Sequence, residues 1–181
     1  KPGKLYQPIR VALTGGTVAW TVGSWIQARY AVTGARRVLI QTGIAVLALG
    51  CGLFVPVLWP QVPVVAGIVA WTIAGLGMGL AYSTLSLVVL ETAPSGQEGA
   101  AAASLQIASV LGSGIGTGVG GALVGSLGAA QNLMRPALTI QFLAMVGVLI
   151  VGLVAARRLP KGPPAVAAPA PASSVAEPRA A

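Results

Sequence analysis

No charged side chain occurs between Arg37 and Glu91. Few folds tolerate so long an uncharged interval. As one helix, residues 38–90 would run about 80 Å at 1.5 Å per residue, against a bilayer hydrocarbon core of about 30 Å. The interval therefore has to turn. Pro60-Gln61-Val62-Pro63 supplies the turn, because two prolines around a polar residue stop a helix and favour a loop. Two spans joined by a hairpin follow, 38–59 and 64–90.

The rest of the chain divides in the same way. Residues 11–28, between Arg10 and Arg29, form an uncharged segment just long enough to cross. The polar run Glu91-Thr92-Ala93-Pro94-Ser95-Gly96-Gln97-Glu98-Gly99 reads as a loop. It is followed by a fourth span, 102–127, a loop around Gln131, Asn132 and Arg135, and a fifth span, 137–156, closed by Arg157 and Arg158. Residues 1–10 are a non-membrane segment. The Pro/Ala-rich tail 159–181 is expected to be disordered, since it supports neither a packed core nor a continuous helix. Barrel strands would alternate in polarity over about ten residues, and these runs are continuously apolar. The expected fold is all-α, a polytopic transmembrane bundle of about five spans.

Composition agrees. The chain is 55% hydrophobic and 8% charged, against about 25% charged in soluble domains. Mean hydropathy is +0.85. The net charge of +8 lies in the gaps between apolar runs, where headgroups would be, and no basic stripe marks a nucleic-acid partner. Cys51 is the only cysteine and His is absent, so neither a disulfide nor a metal cluster is expected, and no cofactor. No convergent acid, base and nucleophile are visible, so the chain is not expected to be an enzyme. The first residue is Lys1 and no signal-peptide pattern follows it, which reads as a fragment of a longer protein.

Charge also sets an orientation. Arg29, Arg36, Arg37, Arg157, Arg158 and Lys161 lie on one side of five spans, and Lys1, Lys4, Arg10 and Arg135 on the other. The excess places the first side, with the C-terminus, in the cytoplasm.

Inside the spans, small residues dominate. Gly75 and Gly79 in the third, and Gly112, Gly116 and Gly120 in the fourth, repeat at four-residue spacing and allow close helix approach. Plain packing explains such motifs, and a moving interface explains the unusual number of glycines in the fourth. Trp20, Trp71 and Tyr82 are candidates to line a cavity for apolar or cationic compounds; interface anchoring is the other reading, and it suits Trp59 best. Gln106 and Gln141 are expected to face protein or water, being costly in lipid. No Asp, Glu, Lys, Arg or His lies deep in any span.

Val18-Ala19-Trp20-Thr21-Val22-Gly23-Ser24-Trp25-Ile26-Gln27-Ala28-Arg29, followed by Gly34-Ala35-Arg36-Arg37, resembles the eighth helix and following cytoplasmic loop of the major facilitator superfamily, especially bacterial drug:proton antiporters. Ala74-Gly75-Leu76-Gly77-Met78-Gly79-Leu80-Ala81 is similar to the tenth helix, and the 91–99 loop with the glycine ladder to the eleventh. On this likeness Gly23, Arg29, Gly34, Arg36 and Arg37 form the loop motif. Gln27 stands where the family carries an acid, and an extra residue separates Gly34 from Arg36. The resemblance implies a transporter of two six-helix halves rocking about a central site. Its missing N-terminal half would be a partner of this chain, alongside the lipid bilayer and a small-molecule substrate. The function expected is secondary, proton-coupled efflux of small hydrophobic compounds at the plasma membrane. The alternative is a non-transporting polytopic subunit or anchor.

Overall fold

A computed structural model describes residues 3–30, 36–128 and 133–159, with side chains for 15–30, 36–126 and 133–159. Five helices fill it: α1 (Gly3–Tyr30), α2 (Arg36–Val57), α3 (Val64–Glu91), α4 (Glu98–Gly128) and α5 (Met134–Ala155), closed by a 3-10 turn, Ala156–Arg158. No strand occurs among the described residues. The tail beyond Leu159 lies outside them.

The α2–α3 hairpin turns where the prolines demand. α2 ends at Val57, one residue after Pro56, which lacks the N–H of a continuing helix. Two tight turns follow, Trp59 N–H to Pro56 O and Val62 N–H to Trp59 O, both 3.1 Å. Pro63, extended at φ −67° and ψ 145°, launches α3. The second span is thus 36–57 rather than 38–59. The fourth helix begins at Glu98, four residues before the expected start. Ala100, Ala101, Ala102 and Ala103 are the strongest helix formers, and a glutamate in the first turn complements the helix dipole. Gly96 makes the preceding bend at φ +83°, a backbone region that suits glycine.

α3 is the centre of the bundle. α1 and α2 pack against it, α2 also packs against α5, and α4 packs, more sparsely, against α5 and α3. α1 runs parallel to α3, because Gly16 meets Gly75 and Gly23 meets Gly79. α2 runs antiparallel, because Gly43 meets Ala81 and Gly50 meets Ala74. These are backbone contacts. A Cβ built on Gly23 would lie 2.5 Å from the Leu76 carbonyl, and one on Gly75 2.6 Å from the Gly16 carbonyl. Gly77 faces the α2 backbone at Gly43 and Leu47, while Gly79 faces α1 at Trp20 and Gly23. Ser24 and Ser83 add a hydroxyl hydrogen bond of 2.9 Å between α1 and α3.

Large apolar side chains point outward over most of the surface, including Val64, Ile115, Val148 and Val151, each 66–71% exposed. In water such a surface would be an aggregation liability; in hydrocarbon it is the normal exterior. Four helices are long and apolar enough to cross a membrane: Arg36–Val57, Val64–Glu91, Glu98–Ser126 and Met134–Arg158. The expected first span, 11–28, lies partly outside the residues whose side chains are described and is not tested in this way. Thr14, Thr17, Thr21, Ser24 and Gln27 lower the apolarity of α1, and Gln27 is buried at 8% exposure.

Because Gly79 has no room for a side chain, Gly79→Val should destabilise the bundle by about 1–3 kcal/mol, the usual range for overpacking. Gly114→Ala, which meets nothing within 4 Å, should leave stability unchanged or raise it. Thermal unfolding of both variants in one detergent checks the difference, and equal midpoints would refute the packing.

Candidate functional site

α4 stands away from the glycine-packed core and leaves a cleft of about 760 Å³ between α3, α4 and α5. α3 contributes Met78 and Tyr82, α5 contributes Gln141 and Met145, and α4 contributes Ser109, Ser113 and Thr117 with Gly112, Gly116 and Gly120. No charged side chain lines it. Two methionines supply soft, adaptable walls, and Tyr82, the α4 hydroxyls and Gln141 supply a few hydrogen-bonding groups. That mixture is typical of ligand pockets.

Gln141 is the polar centre of the cleft. Its Nε2 donates a long hydrogen bond, 3.5 Å, to the Gly116 carbonyl. Its Oε1 is buried and has no donor, which leaves an acceptor that a ligand N–H or O–H would satisfy. The Gln141 amide packs at Gly120, where a Cβ would lie 2.9 Å from Nε2. Behind Tyr82, the Trp20 ring of α1 meets it edge-on, with centroids 6.2 Å apart and planes at 65°.

The residues expected from sequence separate here. Tyr82, Gly112, Gly116 and Gly120 line the cleft, and Trp20 supports Tyr82 from outside. Trp71 does not line it; its ring meets Phe54 edge-on at 6.0 Å, and Phe54 stacks on Phe142 at 5.0 Å. Gln106 does not line it either. That side chain is exposed on α4, and Ser109, nearly one turn further on, takes the position facing α3 and α5. The glycine ladder also differs from expectation. Gly75 and Gly79 meet neighbouring backbone, but Gly112 and Gly116 have nothing within 4 Å, and Gly120 meets only Gln141. The reason is that α4 has sparse contact with the other helices. Around Gly112 and Gly116 the small residues open space instead of closing it.

At one end of the bundle sit the loop-motif residues. Gly23 is buried against α3. Arg29 lies over the Trp25 ring, 4.9 Å from its centroid, a cation–π contact. Arg36 forms a bidentate ion pair with Glu91, Nη1 to Oε2 and Nη2 to Oε1, the latter at 3.0 Å. Arg37 is half-buried, and Gly34 lies outside the described residues. The partner role of Glu91 was missed, although the signal was present. Arg36 and Glu91 are set at the two ends of an antiparallel hairpin, so its closure must bring them together. At the other end Trp59, Arg135 and Pro136 line a smaller cleft of about 400 Å³.

The fold and its surface define a membrane-embedded helical bundle with transmembrane helices in contact with lipid. Compared with protein-family models, with curated proteins and with solved structures, the chain matches none of them.

The cleft depends on the small residue at position 120. Gly120→Val should drive Gln141 out of the cleft and weaken binding of an apolar fluorescent dye at least tenfold. Gly118→Val, at a position with nothing within 4 Å, should change it less than twofold. Fluorescence titration of the detergent-purified variants reads both, and equal affinities would exclude this cleft as the dye site.

Proposed function

We propose that the chain is the C-terminal membrane part of a secondary transporter of the major facilitator type, exporting small, largely hydrophobic compounds by exchange with protons across the plasma membrane. The observation that carries this reading is the uncharged cleft between α3, α4 and α5, with Tyr82, Gln141 and two methionines on its walls. Such a cleft suits a neutral or weakly polar compound; a charged one would lose hydration with no counter-charge to replace it. The residue patterns around Gly23–Arg37, Gly75–Gly79 and the α4 glycines support the family part of the proposal.

Two structural features fit motion. α1, α2 and α3 are joined by backbone contacts, whereas α4 is attached sparsely and carries glycines with free space around them. A helix of that kind bends and shifts at little cost. In the proposed orientation the Arg36–Glu91 end and the C-terminus face the cytoplasm, by the excess of arginine there. No Asp, Glu, Lys, Arg or His sits deep inside the described spans, where such residues occur only near the ends. Proton coupling therefore assigns the proton carrier to the N-terminal half that the family reading requires.

A second reading is a polytopic subunit or anchor without transport. The same lack of an Asp, Glu, Lys, Arg or His deep in the described spans favours it, since proton-driven machines rely on such a group.

Inverted vesicles containing the full-length protein distinguish the two. An exporter should accumulate a fluorescent hydrophobic dye when an inward-acid gradient is imposed, and collapse of the gradient should abolish accumulation. Dye movement indifferent to the gradient would remove the antiport claim, and no protein-dependent movement would favour the anchor.

A further inference from the structure

We propose that Arg37, Arg157 and Arg158 together form a binding site for the phosphate of an anionic phospholipid, at the end of the bundle where α2 begins and α5 ends. The proposal is independent of transport and needs only the membrane setting.

Of the arginines at this end, two are already occupied. Arg36 holds Glu91 through two nitrogens, and Arg29 lies on Trp25. Glu98 is turned to the Gly96 N–H at 3.2 Å. That leaves Arg37, Arg157 and Arg158, and among the described residues no carboxylate pairs with any of them.

Packing brings the three to the same end of the bundle. The Phe54–Phe142 stack sets α2 against α5. The two helices run antiparallel, so equal steps back from Phe54 and forward from Phe142 place Ile40 opposite Ala156. Both are buried, at 3% and 5% exposure, and the closing turn contacts α2. Arg37 is one turn from Ile40 towards the α2 N-terminus, and Arg157 and Arg158 follow Ala156 directly. Arg157 and Arg158 are exposed and Arg37 is half-buried. α2 has no acid in its first turn, so its dipole adds to the positive field here instead of offsetting it.

Three unpaired guanidiniums in one place invite a multiply hydrogen-bonding anion. The surroundings select a lipid over a free ion. Val38 beside Arg37, and Val151 and Val154 below Arg157, are 54–68% exposed. Each offers exposed apolar surface on the hydrocarbon side of the charges. A phospholipid meets both features at once, phosphate on the arginines and acyl chain along the valines. Basic pockets at helix ends bind acidic headgroups in this way.

Native mass spectrometry and thermal unfolding of the full chain in neutral detergent test the proposal. Phosphatidylglycerol should be retained, and should raise the unfolding midpoint, at concentrations at least tenfold lower than phosphatidylcholine with the same acyl chains. From the strength of basic-residue attraction to acidic leaflets, each arginine contributes about fivefold in affinity. Arg157→Gln/Arg158→Gln, which removes two exposed side chains, should therefore weaken retention more than tenfold, and adding Arg37→Gln should abolish the preference over phosphatidylcholine. Arg135→Gln, at the opposite end, should bind like the parent. Equal retention of the two lipids by the parent chain would overturn the site, as would full retention by the double variant. A midpoint raised as much by inorganic phosphate as by phosphatidylglycerol would overturn the lipid assignment.

Discussion

The bundle depends on the close approach of three backbones around α3. Between helices in lipid there is little hydrophobic drive, because hydrocarbon is as apolar as leucine, and packing has to supply the association. Packing is strongest where side chains are smallest. Two positions apart on α3, Gly77 faces α2 and Gly79 faces α1, and each meets backbone atoms of its neighbour. Gly16 and Gly23 return the contact from α1, and Gly43 and Gly50 return it from α2. The polar Ser24–Ser83 bond and the buried Thr84, whose hydroxyl donates to the Leu80 carbonyl at 2.6 Å, fit into the same layer without exposing a donor to lipid.

The rest of the molecule follows from how far this layer extends. α5 joins through the Phe54–Phe142 stack on α2. α4 has no such anchor. Its glycines could approach another backbone as closely as Gly23 approaches Gly79, yet within this chain most have empty space beside them. The result is a cleft whose back wall is firm, on α3, and whose front wall, α4, is loosely held. Gln141 ties the two sides through one long hydrogen bond and keeps one acceptor free. A cleft with a closely packed wall, a sparsely packed wall and no charge is suited to neutral ligands.

The ends of the helices carry the charge the spans exclude. The bidentate Arg36–Glu91 pair closes the α2–α3 hairpin; partly exposed, it contributes on the order of 1 kcal/mol. Its larger effect is to neutralise one arginine and leave Arg37, Arg157 and Arg158 as an unbalanced group at the level of the headgroups.

Much of the architecture was legible from residue order alone. Apolar length and charge placement located four of the helices to within a few residues, and the two prolines at 60 and 63 located the hairpin. They did not locate the end of α2 at Val57, just after Pro56, or the early start of α4 at Glu98, where local helix chemistry prevailed. α1 mixes its apolar residues with Thr14, Thr17, Thr21, Ser24 and Gln27, and its side chains are described only from residue 15. The Gly75 and Gly79 spacing pointed to a close helix contact, and the same spacing in Gly112 and Gly116 pointed to one this chain does not make. Tyr82 lies on the wall of the cleft between α3, α4 and α5, while Gln106 and Trp71 lie elsewhere. The physical reason is common to all these differences. Sequence determines which segments must leave water, because charge and apolarity are paid for in solvation. It does not determine which face of such a segment meets protein and which meets lipid, since both surroundings are apolar and leave no polar stripe to distinguish them. That choice was made only by the tertiary contacts, helix by helix, where backbone came close enough to touch.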